Sequence, residues 1–88
     1  MARTPEQIAA DDALTVAVEA VHQAYYADSV EGVLTKYTVL AQRQWWDEDG
    51  DAMTANYMSP RDNGIPLSDQ LGLTEYASTR IRRQIGSD

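Results

Sequence analysis

The middle of the chain constrains its fold most. Asp47-Glu48-Asp49-Gly50-Asp51 gathers turn-forming residues between two stretches, 33–46 and 53–58, whose residues favour extended backbone. That pattern predicts an antiparallel hairpin. Because side chains alternate with period two along a strand, Thr35, Tyr37, Val39, Ala41, Arg43 and Trp45 fall on one side of the first strand. Leu34, Lys36, Thr38, Leu40, Gln42, Gln44 and Trp46 fall on the other. The Tyr37, Val39, Ala41 and Trp45 side is the more apolar and is expected to meet the core. Leu40 and Trp46 are then left without a covering layer, and the adjacent pair Trp45-Trp46 cannot both point inwards. On the second strand Ala55 and Tyr57 share a side with Met53. A hairpin of two strands is marginal in water by itself, so other elements must cover it.

Those elements are helices. Thr4-Pro5-Glu6-Gln7 is a helix start, with Thr4 as N-cap, Pro5 in the first helical position and Gln7 placed to close a capping box. Leu14, Val18, Val21 and Tyr25 then recur along one helical face, flanked by Ala10, Ala17 and Ala24. Residues 28–32 are expected to end the helix, with Gly32 suited to a positive φ. Beyond the hairpin, Ser59-Pro60-Arg61-Asp62-Asn63-Gly64-Ile65-Pro66 reads as a surface loop. A closing helix capped by Ser68 or Asp69 follows, with Leu73, Ala77, Ile81 and Ile85 at i+4 spacing, a weak point at Gly72 and a stop at Gly86. The fold class expected is α+β, in the order helix, two-stranded antiparallel hairpin, helix, with both helices on one face of the hairpin. The 88 residues allow one small domain, 1–88, and one modest core.

Composition narrows function by exclusion. A formal net charge of −7 opposes phosphate-neutralising nucleic-acid binding and attraction to anionic membranes. No cysteine is present, which removes disulfides, thiolate chemistry and cysteine-ligated zinc. No apolar run reaches the roughly 18 residues of a membrane span, and Met1-Ala2-Arg3-Thr4-Pro5 lacks a signal-peptide apolar core. The expectation is a soluble, unsecreted protein.

Two motifs suggest chemistry and fall short of it. Asp47, Asp49 and Asp51 have the spacing that opens an EF-hand loop, but Ala52 stands where that loop needs Gly and Met58 where it needs Glu. A solvated acidic turn is the simpler reading. Glu19-Ala20-Val21-His22 matches one Glu-x-x-His motif of a di-iron bundle, which needs two such motifs and two further carboxylates, whereas this chain has a single histidine. No serine–histidine–aspartate set and no glycine-rich phosphate loop is present, so no catalytic, cofactor or metal residue is assigned. Arg80, Arg82 and Arg83 sit near the C-terminal end of a helix, where positive charge offsets the dipole.

The runs Thr4-Pro5-Glu6-Gln7-Ile8-Ala9-Ala10-Asp11-Asp12-Ala13-Leu14, Gly32-Val33-Leu34-Thr35, Trp46-Asp47-Glu48-Asp49-Gly50-Asp51 and Gly72-Leu73-Thr74-Glu75-Tyr76-Ala77 together resemble a family of small uncharacterised mycobacteriophage proteins. The resemblance implies a phage accessory protein acting in the cytoplasm of a bacterial host, and no particular activity. The functional expectation is a non-enzymatic binder or modulator of a host protein, with Leu40, Trp46 and Tyr26 as candidate contact residues. An acidic nucleic-acid mimic that blocks a host DNA-binding factor is the alternative, and a small metal-dependent enzyme a third. Strand pairing between two copies, giving a four-stranded antiparallel sheet, would cover the open hairpin edge.

Overall fold

The computed structural model describes residues 2–87, and its elements run α1 (Pro5–Tyr25), β1 (Thr38–Trp46), β2 (Ala52–Pro60), a 3-10 turn (Arg61–Asn63) and α2 (Leu67–Ser87). This is the expected α+β order, a two-stranded antiparallel hairpin between two helices.

Local sequence chemistry sets the start of α1. The Thr4 hydroxyl accepts from the Gln7 N–H at 3.1 Å, and the Gln7 side chain accepts from the Thr4 N–H at 2.8 Å. Both halves of the capping box therefore form and satisfy donors that the first turn leaves free. The helix ends at Tyr25, the Tyr26 N–H bonds back to the His22 carbonyl at 2.8 Å, and Gly32 adopts φ +109° in the connection that follows. The partly covered stripe is Asp11, Leu14, Thr15, Val18 and His22. Leu14 and Val18 belong to the expected face, but Val21 and Tyr25 are exposed, because the stripe turns towards His22 in the last turns.

Residues 33–37 lead into β1 without joining the ladder, so the first strand starts at Thr38 rather than at residue 33. A side chain takes over the pairing there: the Arg61 guanidinium donates to the Leu34 carbonyl at 2.8 Å and to the Thr35 carbonyl at 3.3 Å. The Arg61 N–H also donates to the Tyr37 carbonyl at 3.0 Å. In the hairpin Leu40 stands opposite Met58, Ala41 opposite Tyr57 and Trp45 opposite Met53. That register puts Leu40, Met58 and Trp46 on one side, and Val39, Ala41, Tyr57 and Trp45 on the other. The second strand runs beyond its expected end, to Pro60, whose missing N–H is tolerated at the ladder's end. At the tip, Asp47 Oδ1 accepts from the N–H groups of Asp49 and Asp51, each at 2.9 Å, and Gly50 adopts φ +83°.

Of the loop expected over residues 59–66 only 64–66 are irregular; before them come the end of β2 and a 3-10 turn in which Asp62 and Asn63 hold φ of 53° and 54°. Aspartate and asparagine are the non-glycine residues that best tolerate that conformation. Helix α2 begins at Leu67, ahead of the expected caps Ser68 and Asp69, and passes unbroken through Gly72 and Gly86. An interior glycine costs only about 1 kcal/mol relative to alanine, which a helix of 21 residues absorbs.

The core lies at the open end of the hairpin. Tyr37, 8 % exposed, is the buried apolar residue among those described, and its hydroxyl lies 2.6 Å from that of Thr15 on α1. Val39 and Ala41 beside it are half-buried, whereas every residue from 42 to 58 is exposed. Helical cover thus extends to the first few rungs of the ladder only. The radius of gyration is 16.4 Å, where about 12 Å is usual for a compact chain of this length.

Candidate functional site

Leu40 is where the unfilled apolar surface of the molecule converges. On one side of it a slot of about 580 Å³ opens between the start of β1 and α2, lined by Tyr37, Thr38 and Leu40 from the hairpin and by Leu73, Ala77 and Ile81 from the helix. On the other a shallower recess of about 520 Å³ runs over the hairpin past Tyr57 and Met58. The slot exists because α2 is held to the body only near its start. Lys36 Nζ lies 3.3 Å from the Asp69 carboxylate, and the Gln70 side-chain amide donates to the Ile65 carbonyl at 2.7 Å. From Thr79 to Ser87 every residue is exposed, including Ile81 and Ile85.

The three residues singled out in the sequence fare differently. Leu40 is 61 % exposed and borders both recesses. Trp46, 65 % exposed, lies at the far end of β1 on the same side of the sheet, separated from Leu40 by the polar rungs Gln42–Asn56 and Gln44–Thr54. Tyr26 caps α1 with its ring centroid 6.2 Å from that of Tyr25, and it lines neither recess. The structure therefore brings Leu40 into a recess with α2, sets Trp46 on the same side of the sheet beyond two polar rungs and leaves Tyr26 apart. Sequence reasoning missed Leu73, Ala77 and Ile81 as the wall of a recess, since spacing at i+4 marks an apolar face without saying what covers it.

Polar groups gather in two places. A cleft of about 260 Å³ between α1 and the segment leading to β1 is lined by Glu19, His22, Glu31 and Lys36. Among the described residues no hydrogen bond joins His22 to a hydroxyl or a carboxylate. At the hairpin tip, ligand atoms of Asp47, Asp49 and Asp51 lie within 4.8 Å of one another, all exposed. There Asp47 Oδ1 already holds the turn through two backbone N–H groups. Elsewhere Arg3 bonds to Asp11 at 2.7 Å, which raises the arginine above its ordinary range and keeps it charged.

Comparison with protein-family models, with curated proteins and with solved structures gave no match. No helix among the described residues is long and apolar enough to cross a membrane.

Proposed function

We propose that this chain is a non-enzymatic protein-binding module, an accessory protein of a phage that docks on a protein in the cytoplasm of its bacterial host. The supporting observation is the apolar recess around Leu40 and Met58, left uncovered by the chain's own helices, with Trp46 exposed on the same side of the sheet two polar rungs further on. Large exposed apolar patches rimmed by polar groups characterise interaction sites, and aromatic residues are enriched in their buried centres. The resemblance of the segments from Thr4 to Leu14 and around Trp46 to small mycobacteriophage proteins supplies the setting.

A photo-crosslinking residue in place of Trp46, introduced into the chain in host cells, tests the reading. The expected result is a discrete host protein joined to the chain, with the yield falling at least tenfold in Leu40→Asp. Absence of any discrete adduct, or an adduct indifferent to Leu40→Asp, contradicts the reading. An adduct with a DNA-binding protein that forms in lysate at low salt and is lost when moderate salt is present during irradiation would favour the nucleic-acid mimic instead, since counterion-sensitive binding marks that mode.

A further inference from the structure

We infer that a second copy of this chain pairs with the outer edge of β2, antiparallel and about a two-fold axis at Asn56, so that two hairpins make one four-stranded sheet.

The chain leaves that edge open and unguarded. The Asp47 N–H donates to the Asp51 carbonyl and the Arg61 N–H to the Tyr37 carbonyl, each at 3.0 Å, at the two ends of one register. Hydrogen-bonded pairs alternate along an antiparallel ladder, so the odd-numbered residues of β2 turn their backbone groups to β1. Those of Ala52, Thr54, Asn56 and Met58 then point outwards. Every residue from Ala52 to Met58 is exposed, and only the last residues of the strand, Met58–Pro60, line the recess shared with α1. Natural edges are blunted by charge, proline or a bulge, yet Ala52–Pro60 holds no charged side chain and its proline is the final residue. The outer edge of β1 differs: that strand carries Arg43, and α2 flanks its start across the slot.

The pattern of the strand itself selects a second copy. Asn56 is the central residue of Ala52–Pro60, and about it each large side chain meets a small one. Met53 stands beside the partner's Ser59, Thr54 beside the partner's Met58 and Ala55 beside the partner's Tyr57. A two-fold axis demands such a match between a strand and its own reverse, and an unrelated strand does not. Centred on Ala55 or on Tyr57, the strand would instead set Met53 beside Tyr57 or one tyrosine beside the other. About Asn56 the outward groups are satisfied in turn, because Thr54 with the partner's Met58 and Asn56 with the partner's Asn56 form pairs that each exchange two hydrogen bonds. At the axis Asn56 Oδ1 already accepts from Gln42 Nε2 at 3.0 Å. The Asn56 amide N–H groups have no partner among the described residues, and the axis brings them to the Oδ1 of the partner's Asn56.

Charge sets the direction. In the antiparallel pairing the acidic turns Asp47–Asp51 lie at opposite ends of the sheet, about 30 Å apart over nine residues and several times the screening length of about 8 Å. A parallel pairing would place each turn beside its copy.

This contact lies on the strand edge and leaves the Leu40 recess to the host partner, so the purified chain alone tests it. The chain has no cysteine, and an introduced thiol therefore reports its own position. Light scattering coupled to size exclusion should give the mass of two chains at tens of micromolar. Under oxidised glutathione, Asn56→Cys should become a covalent dimer, since paired residues at the axis stand about 5.5 Å apart between Cα atoms, within disulfide reach. Ala52→Cys, about 27 Å from its copy in this register, should stay reduced. Asn56→Pro removes an outward N–H and no backbone bond of the chain's own hairpin, so it should give a one-chain mass with the helical circular dichroism retained. Thr54→Lys, which adds charge to the edge, should weaken self-association at least tenfold. A one-chain mass for the native sequence overturns the inference. A two-chain species in which Ala52→Cys crosslinks as readily as Asn56→Cys, or one that both Asn56→Pro and Thr54→Lys leave intact, overturns it equally.

Discussion

Tyr37 and Trp46 stand on the two ends of the same extended segment and in opposite physical circumstances. The tyrosine ring is buried, its hydroxyl meets Thr15 on α1, and its carbonyl accepts the Arg61 N–H. The tryptophan, the more apolar side chain, is mostly in solvent. Reach explains the difference better than hydrophobicity does. Two strands of nine residues extend about 30 Å, while the helices meet the hairpin only at its open end. Burial therefore follows distance from the helices, and apolar residues beyond them remain as surface.

The widest separation of the two regions comes from truncating each ring. Tyr37→Ala should cost about 3–5 kcal/mol, the usual range for removing a large buried aromatic side chain. Trp46→Ala in the free chain should change stability by no more than about 0.5 kcal/mol, as exposed substitutions generally do. Equilibrium denaturation of both variants checks the contrast, and equal costs would break it. A finer probe keeps the Tyr37 ring and removes its hydroxyl. Tyr37→Phe should cost about 1 kcal/mol through the contact with Thr15, and the double variant with Thr15→Val should cost less than the sum of the two single changes.

The same contrast shows what the sequence could disclose. The capping box at Thr4 and Gln7 and the Asp47–Gly50 turn were readable because each is closed by groups within four residues of one another. Strand alternation was readable too, since the pleat dictates it: Trp45 and Trp46 do point to opposite sides. What covers a face is a tertiary matter. Val21 and Tyr25 continue the apolar spacing of Leu14 and Val18, but the half-buried position in that turn is His22. Leu73 and Ala77 are partly covered while Ile81 and Ile85, on the same spacing, project beyond the body. Pairing of residues 34 and 35 with the Arg61 side chain instead of a strand was equally hidden, because the partners are 27 and 26 residues apart. Of the candidate site, Leu40 and Trp46 were legible as apolar residues on the uncovered side of a strand. The α2 wall of the slot was not.

The central claim is that cover by the helices, rather than apolar character, decides which part of the hairpin is buried. Its most direct test is native-state hydrogen exchange of the ladder amides, read residue by residue along both strands. The account predicts protection that is highest on the rungs beside Val39 and Ala41 and falls towards the Asp47–Gly50 turn. Uniform protection along the ladder, or protection highest beside Trp46, would contradict it.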